Sequence, residues 1–389
     1  MIQISVTTIV ICAIIIVAAV ITPMVNIFFR KVGNGQDVTD DLRLPCLSVL
    51  LTVQDNASEL EQHLPAILTQ DYPAGFEVIV VVSKGEDDTD DVLKKLSATY
   101  PNLYTTFIPD SSRYMSRKKL AVTLGVKAAR HEWILMTEAR FLPASDQWLK
   151  TMARHCQEGT DMVIGYANYD QEASDYKRFE CLQEQCYILR QANRGTAFRC
   201  EPGNLLFRKS VFLDNRGFEG NLKYVRGEYD FIVNKFAEKG NTVIETSPEA
   251  WVIEDAPTKK TWKNRHLYLM ETKRHLKRSF CSLLPYRLDH LLMHLNYLLI
   301  IGCACYGYWL MRQGNGLTEP WVLWGTAIVG FLITIVMRII FARKTCWQFD
   351  EDIPFWKIIP FEVSRCWRNL IWRIRYFFSD KYSFICHKV

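Results

Sequence analysis

The chain has 389 residues, 49% hydrophobic and 23% charged, so a sizeable core is expected in one large domain or two small ones. A net charge of +5, with no single long basic block, argues against nucleic acid as a partner. The 12 cysteines are scattered without a CxxC pair, which argues against a zinc ribbon and reads as small buried hydrophobes in a reducing compartment.

Residues 4–29 are apolar and uncharged, long enough to cross a hydrocarbon core of about 30 Å. No basic stretch precedes them, which disfavours a cleaved signal peptide. Arg30 and Lys31 follow directly, so the N-terminus is expected outside and the next domain in the cytoplasm.

From residue 47 short apolar runs alternate with helical stretches. LSVLLTV (47–53), FEVIVVV (76–82) and WILM (133–136) read as buried strands, and residues 57–69, 90–100 and 118–129 as helices. The stretch from 101 to 116 reads as a polar loop, and a further helix start is expected at Ser145. Near-continuous Val/Ile/Leu strands alternating with helices predict an α/β fold with a mainly parallel sheet covered on both faces. Ligands in such sheets bind at the C-terminal strand ends, here 52–56, 83–87 and 137–140.

Two more spans are expected at 288–310 and 321–341, joined by the short, nearly uncharged connection 311–320. Arg338, Arg343 and Lys344 mark a cytoplasmic end. His290 and His294 stand one helical turn apart, but no third ligand is near; membrane-interface or packing roles fit better than metal. In FEVSRCWRNLIWRIRYFF (361–378), Arg365, Arg368, Arg373 and Arg375 interleave with Trp367, Ile371, Ile374 and Phe378. A basic, aromatic amphipathic helix of this kind suits an anionic membrane surface. The expected organisation is an anchor at 1–29, an α/β domain at 45–280, a membrane hairpin at 288–341 and a cytoplasmic tail at 345–389.

The series SVLLTVQDNASEL, LTQDYP, FEVIVVVSKGEDDTDDVL and KKLAVTLGVKAARHEWILMTEARFLPASDQWL is similar to family 2 glycosyltransferases. GNLLFRKSVF (203–212), GF (217–218), GEYDFIV (227–233) and ETKRH (271–275) keep the order of that family's later blocks. The resemblance covers roughly residues 45–280, and the flanking spans match its membrane-bound members. It implies the GT-A fold, a nucleotide-sugar donor, a membrane lipid or polysaccharide acceptor, and a place in the cytoplasmic membrane among other envelope-glycan enzymes.

The resemblance also implies site residues, and several depart from its pattern. At the first strand end, Thr52 and Asp55 stand where the family often has Pro-x-Tyr-Asn-Glu. Ser83 replaces an acidic residue that meets the donor base. Glu138-Ala139-Arg140 replaces the metal-binding Asp-x-Asp. In GEYD the position of the catalytic base falls on Tyr229, flanked by Glu228 and Asp230, the candidate catalytic groups. Glu271, Arg274 and His275 stand for Gln-x-x-Arg-Trp; Arg274 is expected on the diphosphate or on lipid phosphates, Glu271 and His275 on the acceptor or an interface.

Arg140 brings a positive charge where an Asp would bring a negative one. Manganese or magnesium is therefore disfavoured, with Glu138 as the only metal ligand of the motif, and Arg140 is expected to meet the diphosphate itself. So many altered positions leave a second reading open, a degenerate glycosyltransferase serving as a membrane scaffold or regulatory partner without turnover.

Overall fold

The computed structural model describes residues 4–33, 43–83, 85, 87–108, 116–277, 280–314 and 318–386. The helices in chain order are α1 (Val6–Met24), α2 (Ala57–Leu68), α3 (Thr89–Thr99), α4 (Arg117–Ala128), α5 (Trp148–Ala153), α6 (Asp175–Asn193), α7 (Lys209–Asp214), α8 (Glu228–Phe236), α9 (Lys259–His275), α10 (Phe280–Arg312), α11 (Thr318–Gln348) and α12 (Phe355–Phe377). The strands are β1 (Leu47–Val53), β2 (Phe76–Val82), β3 (Leu103–Phe107), β4 (Trp133–Thr137), β5 (Phe141–Pro143), β6 (Met162–Gly165), β7 (Ala167–Tyr169), β8 (Leu205–Arg208), β9 (Thr242–Glu245) and β10 (Val252–Glu254). Two compact units emerge: Met1–Lys31 with Ser279–Arg368, and Val32–Arg278 with Asn369–Val389.

Among the described residues the helical unit contains three helices long and apolar enough to cross a membrane, Val6–Met24, Arg287–Arg312 and Thr318–Gln348. α1 and α11 approach closely at Gly330, where a Cβ would lie 2.8 Å from Ile15 Cγ2. Asn296 of α10 donates to the Thr334 hydroxyl of α11 at 2.9 Å. Such a buried polar contact spares the Asn296 amide N–H an unsatisfied state in an apolar setting. Arg338, one of the residues read from the sequence as marking a cytoplasmic end, is itself inside the helical unit. It is buried between Asp289 (2.9 Å) and Glu362 (2.6 Å), and Asn26 donates to Glu362 at 2.7 Å. Arg365 is likewise buried, while Trp367 and Arg368 are exposed. His294 Nδ1 bonds to the His290 carbonyl at 2.8 Å within α10.

The α/β unit is built on a sheet of order β3-β2-β1-β4-β8-β6-β9. β3, β2, β1 and β4 run parallel, and β8 is antiparallel to both β4 and β6. Leu47, Val49, Leu50 and Leu51 of β1 are fully buried, as a strand covered on both faces requires. Each such side chain contributes roughly 1.5–3 kcal/mol by leaving water. α4 starts at Ser116, whose hydroxyl caps Lys119 N, and presses onto the sheet at Gly125. A Cβ there would lie 2.2 Å from Leu50 Cδ1 and 3.1 Å from Val81 Cγ2, so any larger residue would lift the helix.

β3 falls in the stretch expected to be a polar loop. Its sequence LYTTF leaves Tyr104 and Phe107 exposed at a sheet edge, so it lacks the Val/Ile/Leu signature of the inner strands. A small second sheet of order β5-β10-β7 was not legible either, because its strands are three residues long. Its register sets Glu254 opposite Phe141 and Tyr169, beside the chain that leaves β4. The unit also takes in 369–389, which the sequence assigned wholly to a separate tail.

Candidate active site

Two cavities open at the C-terminal edge of the parallel strands. One, of about 580 Å³, is lined by Thr52, Gln54, Asn56 and Ser83 from the ends of β1 and β2, with Arg117, Val225 and Cys386 opposite. The other, of about 320 Å³, is lined by Arg199, Glu201, Glu228, Tyr229, Asp230 and one face of α9. Lys118, Glu138, Arg140, Arg226 and Tyr268 line both. The shared wall is thus three cations, one carboxylate and one aromatic ring.

The strand ends deliver the expected residues unequally. Ser83 continues the ladder through its N–H to the Val53 carbonyl at 2.9 Å. Its hydroxyl is buried with no hydrogen-bond partner among the described residues, a donor left over for a ligand. Asp55 instead turns to its own loop. At φ 53° it accepts from Asp87 N at 3.3 Å, and a Cβ on Gly85 would lie 2.1 Å from its Oδ1. It lines neither cavity and serves the loop geometry.

Glu138 and Arg140 meet across the turn that leaves β4: Arg140 Nη2 lies 2.9 Å from Glu138 Oε2, and Lys118 Nζ lies 2.5 Å from Oε1. Burial pushes the Glu138 carboxyl up, but Lys118 and Arg140 outweigh it and hold it well below the usual carboxylate range. Arg140 also pairs with Glu254 at 3.3 Å. Glu254 pairs with Arg265 at 2.7 Å, and Arg265 with Glu201 at 2.5 Å. Glu201 then pairs with Arg199 at 2.5 Å, and Arg199 with Asp230 at 3.2 Å. Each buried charge is matched by opposite charges, the condition for tolerating them away from water.

The GEYD block opens α8. Gly227 sits at φ 97°, and a Cβ there would lie 2.7 Å from Thr272 Cγ2, so α8 and α9 touch at this glycine. Asp230 reaches the smaller cavity. Burial raises its carboxyl above the ordinary value; Arg199 opposes this and Glu201 adds to it. A raised carboxyl is a stronger base at neutral pH than an ordinary Asp. Glu228 borders the same cavity but is buried beside Lys119, 3.9 Å away. Burial, and then the negative charge of Glu138, hold the Tyr229 hydroxyl well above its ordinary value. Tyr229 therefore stays protonated and can donate, not abstract.

On α9 the cavity face is Thr261, Asn264, Arg265, Tyr268, Leu269 and Thr272. These positions recur at helical spacing. Arg274 falls on another face: it lines neither cavity, donates to the Tyr376 hydroxyl at 3.0 Å and covers its ring at 5.9 Å. Glu271 accepts from Tyr376 and lies 2.9 Å from His275 Nε2; the His275 ring stacks on Tyr224 at 4.1 Å. Helix phase turns Arg274 away from both cavities, and Arg265 is the arginine of α9 that lines one of them. Lys118, Arg199, Glu201, Arg226 and Arg265 line the cavities and were not singled out in the sequence, nor was Glu254 behind them; only for Arg265 was there a signal, the Thr261/Arg265/Tyr268/Thr272 spacing.

The residues at the Asp-x-Asp position do not fit a dication. Glu138 has both oxygens committed to cations, and Arg140 stands where the second carboxylate would be. Among the described residues no group of three or more His, Cys, Asp or Glu is arranged to hold a metal ion.

The parallel sheet, the antiparallel β8 and the cavities at the strand ends define a GT-A-type glycosyltransferase. The chain belongs to glycosyl transferase family 21, whose model matches residues 9–267. The number differs from the family 2 resemblance; the class is the same. The chain is 27% identical over 193 residues to glycosyltransferase AglE of Haloferax volcanii, a match covering 46% of this chain and 58% of that relative. It therefore spans less than two thirds of that relative's length. Its structure is similar to that of mannosyltransferase PcManGT from Pyrobaculum calidifontis, solved in complex with GDP-mannose and Mn2+. The TM-score is 0.52 at 16% identity, covering 85% of this chain and 98% of that one, a likeness of fold.

Proposed function

We propose that the protein is a membrane-bound glycosyltransferase that moves a sugar from a nucleotide-sugar donor to a hydroxyl of a lipid or envelope-glycan acceptor, without a divalent metal. The observation that carries this reading is the shared wall of Lys118, Arg140 and Arg226 between the two cavities. Fixed cations at that wall meet the charge that develops on a departing diphosphate, the work a metal does elsewhere. The larger cavity takes the nucleotide against Thr52 and Ser83. The smaller takes the acceptor, where Asp230 removes the hydroxyl proton as its oxygen attacks the anomeric carbon. The bond from that carbon to the diphosphate oxygen breaks, and its electron pair leaves with the nucleotide. Arg30 and Lys31 after the first span support a cytoplasmic side for the α/β unit.

A panel of nucleotide sugars tests this by thermal shift, with chelator and with manganese. A ligand at 100 times its Kd stabilises by roughly 2.7 kcal/mol. The expected result is a rise in Tm with at least one donor in chelator, and diphosphate release when membrane lipid extract is added. No shift with any donor under either condition favours the non-catalytic scaffold instead.

A further inference from the structure

The wall opposite the strand ends is braced by the end of the chain. Val225 N donates to the Phe384 carbonyl at 3.0 Å, and Cys386 N donates to the Lys223 carbonyl at 2.8 Å. These bonds flank an antiparallel bridge between Tyr224 and Ile385. Asp380 caps the turn before it, accepting from Tyr382 N at 3.0 Å. Phe384 is buried, with its ring 5.4 Å from that of Tyr268. From inside, Lys119 Nζ donates to the Tyr224 carbonyl and, at 3.1 Å, to that of Arg226.

The segment held this way carries a cation that forms no ion pair among the described residues. Lys118, Arg140, Arg199 and Arg265 each pair with a carboxylate. Arg226 is exposed, lines both cavities and has no ion pair among the described residues; its guanidinium lies 5.9 Å from the Tyr268 ring centroid. Cys386 itself lines the larger cavity.

We infer that residues 380–386 form a strap that is a working part of the donor site. It sets Arg226 against a nucleoside diphosphate, and Cys386 lies in the same cavity wall as a reporter of occupancy. Arg226 is the residue that binds; Phe384 and the Cys386 backbone position it. This inference rests on the donor site proposed above.

The test uses the full-length protein in nanodiscs, with GDP, GDP-mannose, UDP and UDP-glucose as probes. Alkylation of Cys386 by N-ethylmaleimide is followed by peptide mass spectrometry, which needs no variant. The bound nucleotide is expected to slow it at least about tenfold. Calorimetry then compares wild type, a chain ending at Asp380, Cys386→Pro (which removes one strap hydrogen bond), Arg226→Ala, and each strap change combined with Arg226→Ala. Each strap variant should bind roughly tenfold more weakly, the scale of a charged hydrogen bond. The combined variants should bind no more weakly than Arg226→Ala alone, since the strap acts through that side chain. Unchanged labelling with unchanged affinity in Cys386→Pro overturns the strap. Losses that multiply with Arg226→Ala overturn its positioning role. A wild type that binds none of the four probes overturns both this inference and the donor site; one that binds while the strap variants bind equally overturns the strap alone.

Discussion

At Asp230 burial and the charge of Glu201 keep the carboxyl raised while Arg199 fixes its place. Asp230→Asn should lower turnover about 10²–10⁴-fold, the range of a lost general base, with donor affinity unchanged. Tyr229→Phe should leave the acid limb of the pH–rate profile where it was, because the Tyr229 hydroxyl does not ionise near neutrality. A shifted acid limb in Tyr229→Phe would transfer the base role. Glu201 gives a stability prediction of definite sign. Burial pushes its carboxyl up, but Arg199 and Arg265 outweigh this and hold it at about 2. The unfolded value is about 4.3. A depressed pKa contributes stability above the unfolded value, lost as pH falls towards 2. Glu201→Gln should therefore cost on the order of 3 kcal/mol at pH 7, the scale of a broken buried pair. The gap from wild type should narrow between pH 4.5 and 2.5 in denaturation curves; a constant gap would contradict the pairing.

At the scale of elements, helix phase decides which arginine of α9 lines the cavity. Arg265→Ala breaks contacts to both Glu254 and Glu201 and should reduce turnover strongly, whereas Arg274→Ala should change it less than about threefold. The reverse order, measured on the same donor, would restore Arg274 to the site. β1, β2 and β4 were legible because strands buried on both faces are written as unbroken apolar runs. β3 and the short strands of the second sheet were not, because an exposed edge and three-residue ladders leave no periodicity to read. Glu138 and Arg140 were legible from their place after β4, but a turn closed by Phe141 N on the Glu138 carbonyl at 3.1 Å, rather than an extended spacing, brings the two side chains together. Arg199, Glu201 and Glu254 were not: they converge only through the register of β10 and the turn after α6, contacts distant in sequence. Asp55 read as a donor ligand because its turn into the 85–87 loop depends on a backbone φ that no composition reveals.

At the scale of the whole molecule, the proposed orientation rests on charge at the first and last span ends. The connection after α10 is proposed to lie outside and the α/β unit inside. Gly314→Cys should label with a membrane-impermeant maleimide on intact cells, above the background of the parent chain; labelling only after lysis would invert the topology. The central claim concerns Arg140, Lys118 and Arg226 as fixed cations in place of a metal. Arg140→Asp should remove about 1.5–3 kcal/mol of donor affinity in chelator, the range for a charged hydrogen bond, and make binding depend on manganese. The measurement is calorimetric titration of the donor into wild type and Arg140→Asp, each with chelator and with manganese. Wild-type affinity equal in both conditions, with a metal-dependent variant, is the predicted result. Wild-type binding abolished by chelator would contradict it.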